Sequence, residues 1–391
     1  MRRGILLTLS VWLVGAAVIR TTLLMPQQCP AVDSAAALLG ARQSADWIQA
    51  AQFSDGTYVY EYNRGTDSEP GGYNIVRHAG VTMSLYQLAA AGDQSVLPTA
   101  DRGMQYMIDN LYRHEDWAAF VVLPGTIQLG ASALMLDGLM QRRLATGDTR
   151  YDDLSRQVAR GLLALQQPDG SFLNFWDMDA GRPFPGERSK YATGEAFWGL
   201  TLMHRFFPGE GWDVYARKTA DYLSFDRDSY EQQKFPPWAD QWAAYGLGEM
   251  ANWPPSDKNI AYARTLAERF GFLVRVESQR SDNWFSKLLH GRQARAAGMG
   301  TWVEGLNSLY TLAATDPRMA DMAPKIAQRV ECGAGMLAAR QVPPKAAATT
   351  ANPDRTSGAW FTNNATRMDD QQHALSALLN AAPILDDRKK P

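Results

Sequence analysis

Two kinds of helical segment alternate along nearly the whole chain. One kind carries charged residues along one face, at residues 36–52, 98–112, 151–167, 211–224, 258–275 and 320–341. The other kind is apolar nearly all round, at residues 77–91, 128–145, 193–207, 239–253, 299–314 and 369–382. A helix that is apolar on every side must be buried on every side, whereas a helix with one polar face lies outside. Six of each kind in alternation predict an all-α double ring, an (α/α)6 toroid of six inner and six outer helices.

The apolar segments also contain small residues, such as Gly80, Gly194 and Gly246, which allow close packing around the ring axis. Two separate all-α domains would give the same alternation, but no Pro/Ser-rich linker divides the chain. The stretch at residues 342–357 is rich in Pro, Ala and Thr, and we interpret it as a loop. Because a repeat architecture absorbs length, 391 residues fit one body. We predict a single toroid domain over residues 26–391.

Residues 1–25 predict a membrane segment. Arg2 and Arg3 precede an apolar run at residues 5–19, which Arg20 interrupts and residues 21–25 extend. Basic residues stay on the cytoplasmic side, so we expect a signal anchor with the rest of the chain facing the periplasm or the extracellular side. A cleaved signal peptide is the alternative, although no clean small-residue cleavage site follows the run. Cys29 and Cys332 either form a disulfide, which export permits, or stay free.

Charge and residue usage argue against several classes of partner. The net charge is −2 and no long basic stretch is present, so we predict no nucleic-acid partner. Two cysteines and five histidines argue against a cysteine-based zinc site, and we predict no metal and no cofactor. Aromatic residues are abundant, and many stand in polar loop contexts, as Trp176 does. Sugar rings stack on such side chains, although aromatic residues also seal the joints between helices.

Connections at the two ends of the predicted ring differ in length. Turns that follow the apolar helices are short, as at residues 91–93 and 207–209, whereas those that precede them are long, as at residues 168–192. Long loops gathered at one end of a scaffold are the usual place for function, so we place the functional mouth there. Related Asp-Gly or Ser-Gly turns with a following aromatic residue recur at residues 54–58, 168–172 and 357–361, and we interpret them as structural.

The first turns of the apolar helices and the loops before them supply the candidate site. The candidate catalytic residues are acidic side chains and one imidazole: Glu195, Asp240, Glu304, Asp370 and His78. The candidate substrate-binding residues are aromatic, amide, basic and imidazole side chains: Tyr73, Asn74, Arg77, Trp176, Tyr191, Trp242, Arg367 and His373.

Structural roles compete with each of the catalytic assignments. A lone carboxylate in an apolar helix, such as Glu195 or Glu304, is costly unless it is paired or functional, so an ion pair with a mouth arginine is as good an interpretation as catalysis. Asp240 and Asp370 suit helix caps or first-turn acids. A histidine at an early helix position, such as His78, commonly hydrogen-bonds a loop carbonyl.

Three phrases resemble the six-hairpin α/α toroid superfamily of carbohydrate-active proteins: YNIVRHAG at residues 73–80, YATGEA at 191–196 and DQW at 240–242. The resemblance covers residues 35–385 and implies a glycoside hydrolase, polysaccharide lyase or epimerase, but no single family and no catalytic residue. The stretch QQPDGSF at residues 166–172 is similar to a terpene-cyclase repeat element, whose Asp-rich motif has only a weak counterpart in Asp369-Asp370. Lanthionine cyclases share such rings but use cysteine zinc ligands that this chain lacks.

These features together predict an extracytoplasmic glycan-acting enzyme, most simply a glycoside hydrolase acting on an envelope or extracellular polysaccharide or an oligosaccharide. Hydrolysis requires one carboxylic acid and a second carboxylate, which we draw from the candidates above. Two alternatives stay open. One is a uronate lyase or epimerase with a tyrosine or histidine proton carrier and an arginine for the uronate. The other is a non-catalytic glycan-binding subunit of a polysaccharide assembly machine.

Overall fold

The computed structural model describes residues 2–22, 25–186, 188, 191–230 and 239–388. Its helices, in chain order, are α1 (Arg2–Thr22), α2 (Ser34–Ala50), α3 (Ile75–Ala90), α4 (Leu97–Asp109), α5 (Leu129–Thr146), α6 (Asp152–Leu163), α7 (Ala192–Phe206), α8 (Trp212–Phe225), α9 (Arg227–Tyr230), α10 (Gln241–Glu249), α11 (Asp257–Glu277), α12 (Trp284–His290), α13 (Ala296–Thr315), α14 (Ala323–Arg340), α15 (Pro344–Ala347) and α16 (Met368–Asp387). Its strands are β1 (Glu61–Asn63), β2 (Leu111–His114), β3 (Trp117–Leu123), β4 (Thr126–Gln128), β5 (Phe175–Asp177), β6 (Arg182–Pro183) and β7 (Ala365–Arg367).

Within the described residues, six helices close an inner ring. Helix α3 packs on α5, α5 on α7, α7 on α10, α10 on α13, α13 on α16, and α16 returns to α3. Helices α2, α4, α6, α8, α11 and α14 pack around this ring. The predicted (α/α)6 toroid is therefore confirmed, because the fully apolar helices are the inner ones.

Close helix approach inside the ring depends on the small residues that the sequence places there. A Cβ atom added to Gly246 of α10 would lie 2.3 Å from Cδ1 of Phe197 on α7, a distance that real Cβ atoms do not tolerate. The Phe197 side chain is fully buried at this contact. Small residues thus act as predicted, by letting large neighbours reach the helix backbone.

The recurring glycine turns have the predicted conformation. Gly56 and Gly170 have φ values of +91° and +90°, a region that favours glycine. Each also contacts an outer helix, since an added Cβ would lie 2.4 Å from the carbonyl oxygen of Arg102 or 2.2 Å from that of Lys218. These turns end outer helices and return the chain towards the inner ring.

Four of the long mouth connections contain strands where the sequence predicts loops. Strands β2 to β6 form an antiparallel sheet in the order β2-β3-β4-β5-β6, and β1 pairs with β7. The outer helix predicted at residues 98–112 accordingly ends at Asp109, and β2 begins at Leu111. The cause is the aromatic and β-branched content of residues 111–123, which favours a strand once a partner strand is present. Part of another predicted mouth loop, residues 231–238 with Pro236-Pro237, lies outside the described residues.

Helix α1 stands apart from the ring. It is, among the described residues, the one helix long and apolar enough to cross a membrane, over Gly4–Thr21, and none of that stretch is buried against the protein. The chain between α1 and α2 is fixed to the toroid by a disulfide between Cys29 and Cys332 of α14, whose Cα atoms are 4.6 Å apart. The pairing left open by the sequence is thereby resolved in favour of the disulfide.

Candidate functional site

A cavity of about 650 Å³ opens at the end of the ring where the inner helices begin. This end carries the long connections, whereas the opposite end carries short turns such as residues 147–151. Seven of the residues proposed from the sequence line it: Asn74, Arg77, Tyr191, Glu195, Trp242, Arg367 and His373. The first turns of several inner helices therefore converge on one space large enough for a sugar-sized ligand.

Glu195 is a buried carboxyl group that faces this cavity from the first turn of α7. Its side chain is only 3% exposed, and its Oε2 atom has no hydrogen-bond partner among the described residues. Helix α5 packs close to this carboxyl group. A Cβ atom added to Gly130 of α5 would lie only 2.5 Å from Oε2 of Glu195. Burial, assisted by the negative charge of Asp240, raises the pKa of Glu195 well above its ordinary value. A neutral carboxylic acid in contact with a cavity is suited to donating a proton.

Asp240 does not line the cavity but holds the start of α10, which does. Its Oδ1 accepts hydrogen bonds from the backbone N–H groups of Trp242 at 3.0 Å and Ala243 at 3.1 Å, which makes it the N-cap of α10. Its Oδ2 forms an ion pair with Arg227, and both side chains are completely buried. Asp240 thus has the geometry of the alternative interpretation, a helix cap, because its oxygens are occupied by the helix end and the guanidinium.

Asp369, rather than the neighbouring Asp370, is the acidic residue of α16 that lines the cavity. Its Oδ2 lies 3.1 Å from Nε of Arg77, and its Oδ1 lies 3.3 Å from Nε of Arg367. Asp370 instead accepts hydrogen bonds from the backbone N–H groups of Arg367 and Ala297, each at 3.0 Å, and pairs with Arg295. Asp370 thus joins the first turns of α16 and α13 and, unlike Asp369, does not line the cavity.

His373 and Glu304 form a dyad at the inner wall. His373 lines the cavity, and its Nδ1 lies 2.8 Å from Oε2 of Glu304, which is fully buried. Burial of the imidazole lowers the pKa of His373, but the Glu304 carboxylate together with the charges of Asp369 and Asp370 raises it above its ordinary value. Because Glu304 occupies Nδ1, the other ring nitrogen is the one available to a ligand. Glu304 itself acts on the site only through His373.

His78 and Tyr73 belong to the wall around the cavity and do not line it. His78 is completely buried, with Nδ1 2.7 Å from the hydroxyl of Tyr73 and Nε2 2.9 Å from the carbonyl oxygen of Gly103. Burial lowers the pKa of His78 to about 4, so the ring is neutral. Both ring nitrogens of His78 are thus occupied away from the cavity, the structural alternative that the sequence offered, and Tyr73 holds this histidine.

Trp176 also lies away from the cavity. It is part of β5 and is 8% exposed, with its ring packed edge-on against that of Trp117 at a centroid distance of 5.2 Å. Its predicted stacking role is corrected to a packing role within the sheet. Trp302 of α13, which the sequence analysis did not single out, lines the cavity with Trp242 and Tyr191. These three rings supply the apolar surface that sugar faces need.

A second cavity of about 640 Å³ opens at the far end of the ring. The rings of Trp198 and Tyr245 line it, and they stack against Trp242, which lines the mouth cavity. This aromatic stack separates the two spaces. The carboxylate of Glu249 in the far cavity is paired with Arg205 at 3.2 Å. The mouth contains Glu195, whose Oε2 has no partner among the described residues, and is therefore the stronger candidate for catalysis.

Asp137 is a buried acid that the sequence analysis missed. It lies in α5 with both carboxyl oxygens buried and unpartnered among the described residues. Burial, with the nearby charges of Glu195 and Glu249, raises its pKa well above the ordinary value. Asp137 lines neither cavity mentioned above. Like Glu195, Asp137 is a lone carboxylate in an apolar helix, and this is the sequence signal that marks it.

Metal binding finds no support in the described part of the chain, where no three His, Cys, Asp or Glu side chains are grouped to hold an ion. The site is instead built from carboxyl, imidazole, guanidinium and aromatic groups. Its available chemistry is proton transfer and charge stabilisation around a sugar-sized cavity.

Solved structures of carbohydrate-active enzymes share this fold. Cellobiose 2-epimerase from Spirochaeta thermophila has a TM-score of 0.62 at 14% identity, covering 91% of this chain and 96% of its own. The GH76 α-mannanase from Bacteroides thetaiotaomicron has a TM-score of 0.61 at 9% identity, and the alignment covers 90% of this chain and 96% of the mannanase. An inactive α-1,6-mannanase variant from Salegentibacter, in complex with α-1,6-mannotriose, has a TM-score of 0.57 at 11% identity, covering 89% and 99%.

At these identities the likeness shows the fold alone. It supports the predicted (α/α)6 toroid fold. Neither a protein-family profile nor a curated protein sequence matches the chain.

Proposed function

We propose that the protein is a glycoside hydrolase that acts on a polysaccharide or oligosaccharide in its mouth cavity. The observation that carries the proposal is the contrast between two cavity-lining carboxyl groups. Burial raises the pKa of Glu195 well above its ordinary value, whereas the guanidinium groups of Arg77 and Arg367 lie beside the Asp369 carboxyl group. Acid-assisted glycoside cleavage requires one carboxyl group that donates a proton and a second that acts as base or nucleophile, and these two side chains face the same cavity.

In the proposed reaction Glu195 donates its proton to the glycosidic oxygen as the bond from that oxygen to the anomeric carbon breaks. Asp369 supplies the negative charge that stabilises the positive charge developing on the sugar, and it then either activates water or bonds to the sugar carbon. Arg77 and Arg367 hold Asp369 in position. Trp242, Trp302 and Tyr191 would pack against the sugar faces.

The His373–Glu304 dyad favours a second candidate, an epimerase or isomerase. Such an enzyme removes a proton from the carbon beside a carbonyl group and returns one to a different face or carbon. A cavity-facing imidazole that is oriented by a buried carboxylate suits that role. Three of the fold's solved relatives are described as cellobiose 2-epimerases or a D-mannose isomerase.

A uronate lyase remains a weaker alternative, because Arg77 and Arg367 already face Asp369 and a substrate carboxylate would compete with it. A non-catalytic glycan-binding role is also weaker. It gives no reason for an unpartnered, buried carboxylic acid at the cavity wall, which costs stability unless it is used.

The reaction type is tested with the full-length protein, a panel of neutral and acidic oligosaccharides, and water carrying oxygen-18 and deuterium. Hydrolysis predicts a new reducing end with oxygen-18 from solvent and no deuterium on sugar carbon. Deuterium on carbon without chain cleavage would instead establish the epimerase, and an unsaturated product the lyase. Saturable binding without turnover of any bound glycan would leave only the binding role.

We also propose that α1 anchors the protein and that the toroid lies outside the cytoplasm. The support is the unburied apolar helix behind Arg2 and Arg3, together with the Cys29–Cys332 disulfide, a bond typical of oxidising compartments. A C-terminal reporter that folds only outside the cytoplasm is expected to be active. Activity from a cytoplasm-only reporter at the same position would contradict the proposed orientation.

A further inference from the structure

Helix α12 presents a row of large apolar side chains to solvent. Trp284 is 75% exposed, Leu288 is 72% exposed and Phe285 is 51% exposed, with Leu289 beside them at 39%. These positions are i, i+1, i+4 and i+5, so they lie on one side of the helix. We call this surface the α12 apolar face. Contiguous exposed apolar side chains on a folded protein mark an interaction surface.

The loop around α12 is firmly held, so its exposure does not result from fraying. Asn283 caps the helix by accepting the N–H of Ser286 at 2.7 Å, and the Ser286 hydroxyl accepts the N–H of Ser281 at 2.9 Å. Arg280 donates to the carbonyl oxygen of His290 at 2.6 Å and pairs with the buried Glu277. These contacts turn Ser286 inward and fix the α12 apolar face outward.

The same loop contacts the chain where it leaves α1. The side chain of Gln279 donates to the carbonyl oxygen of Met25 at 2.8 Å, and Nε2 of His290 lies 2.9 Å from the Met25 sulfur. Helix α1 ends at Thr22. The three residues from there to Met25 span at most about 11 Å. The end of α1 is thus tethered beside α12 at the mouth end of the ring.

We propose that the α12 apolar face inserts into the outer leaflet of the bilayer that α1 spans, at the boundary between head groups and acyl chains. The inference rests on the proposed anchoring of α1. Tryptophan, phenylalanine and leucine on one side of a short helix are typical of such interfacial contacts, which reach about 5–10 Å into the membrane. Docking there holds the mouth cavity beside the membrane surface.

Continuity with the end of α1 favours lipid over a protein partner as the occupant of this surface. Any membrane that holds α1 lies within a few residues of α12, whereas a partner protein would have to be recruited. Charge contributes little, because Lys287 on α12 is paired with Asp282 at 2.6 Å. The contact therefore depends on apolar burial, and we expect it to persist at high salt.

The test places a nitroxide spin label on the full-length protein in lipid vesicles. Both native cysteines are in the disulfide, so single labels can be introduced at Leu288→Cys, at Val214→Cys and at Val11→Cys. Val214 is a matched control, since it is an apolar residue 61% exposed in the first turn of α8, at the far end of the ring. Val11 in α1 reports the anchor itself.

Collisions with lipid-soluble oxygen and with a water-soluble nickel chelate then distinguish the outcomes. The acyl region excludes the polar chelate by about tenfold or more, so chelate collisions at position 288 should fall about tenfold relative to position 214. If the label at position 11 is exposed to lipid but the label at position 288 is exposed to water, the docking is overturned and the anchor stays intact. Water exposure at both would overturn the anchor as well. Spin–spin broadening at 288 would show a second copy on the face, which also contradicts the proposal.

Discussion

Glu195→Gln is expected to reduce turnover by roughly 10²–10⁴-fold, the usual contribution of a general acid. Glutamine keeps the size and shape of the side chain in the space that Gly130 leaves for it, but it carries no transferable proton. The wild-type enzyme should lose activity as the pH rises through the raised pKa of Glu195, because only the protonated form is an acid. The variant should lack that alkaline limb. Steady-state rates over a range of pH measure both effects.

The stability of the same variant separates catalysis from a bracing role. The folded pKa of Glu195 lies above its unfolded value, so its contribution favours folding at low pH and is lost as the pH rises from the unfolded to the folded pKa. Each unit of that difference corresponds to about 1.4 kcal/mol. Glu195→Gln should therefore unfold at the same or a higher temperature than the wild type at pH 8.

The matched control for this experiment is Glu249→Gln. Glu249 is a half-buried glutamate whose pKa is also raised by burial, but it pairs with Arg205 and lines the far cavity. Its substitution should leave turnover unchanged. Equal losses in both variants would indicate a general effect on the fold. A fall in the stability of Glu195→Gln by about 3–5 kcal/mol would support the brace, an ion pair that the described residues do not show.

The ring was predictable from sequence because the polarity pattern of each helix indicates how far that helix is buried. The residues of a single segment show whether that helix has a polar face, so outer and inner helices can be distinguished without knowing which helices they pack against. The same reasoning located the mouth, since loop length is also local. Strand pairing is not local. Residues 126–128 and 175–177 pair across 45 or more intervening residues as β4 and β5, and this pairing is what removed Trp176 from the site.

The orientation of individual side chains was less predictable for a geometric reason. Neighbouring residues on a helix differ by about 100° in direction, so Asp369 and Asp370 cannot both face the cavity. Which one does depends on how α16 is rotated within the ring. His78 shows the same limit, because it stands in the correct turn of α3 but points towards Gly103 of the adjoining outer helix. The role of Arg227 could not be predicted, because its ion pair with Asp240 forms only when the chain has folded.

Arg227→Met is expected to lower the free energy of unfolding by about 3–5 kcal/mol. The substitution keeps a long side chain in a fully buried position but leaves the Asp240 carboxylate without its guanidinium, and an uncompensated buried charge is strongly destabilising. The negative charge of Asp240 also acts on Glu195. The pKa of Glu195 should therefore rise further, and the alkaline limb of activity should move to higher pH.

The double variant Arg227→Met/Asp240→Asn removes both charges and keeps an N-cap acceptor for α10, so most of the lost stability should return. It also removes the charge that raises the pKa of Glu195, and the alkaline limb should then move below that of the wild type. Urea unfolding and pH–rate profiles of the wild type and both variants measure the two effects. An alkaline limb that stays in place in both variants would show that Asp240 does not act on the catalytic acid and is solely a helix cap.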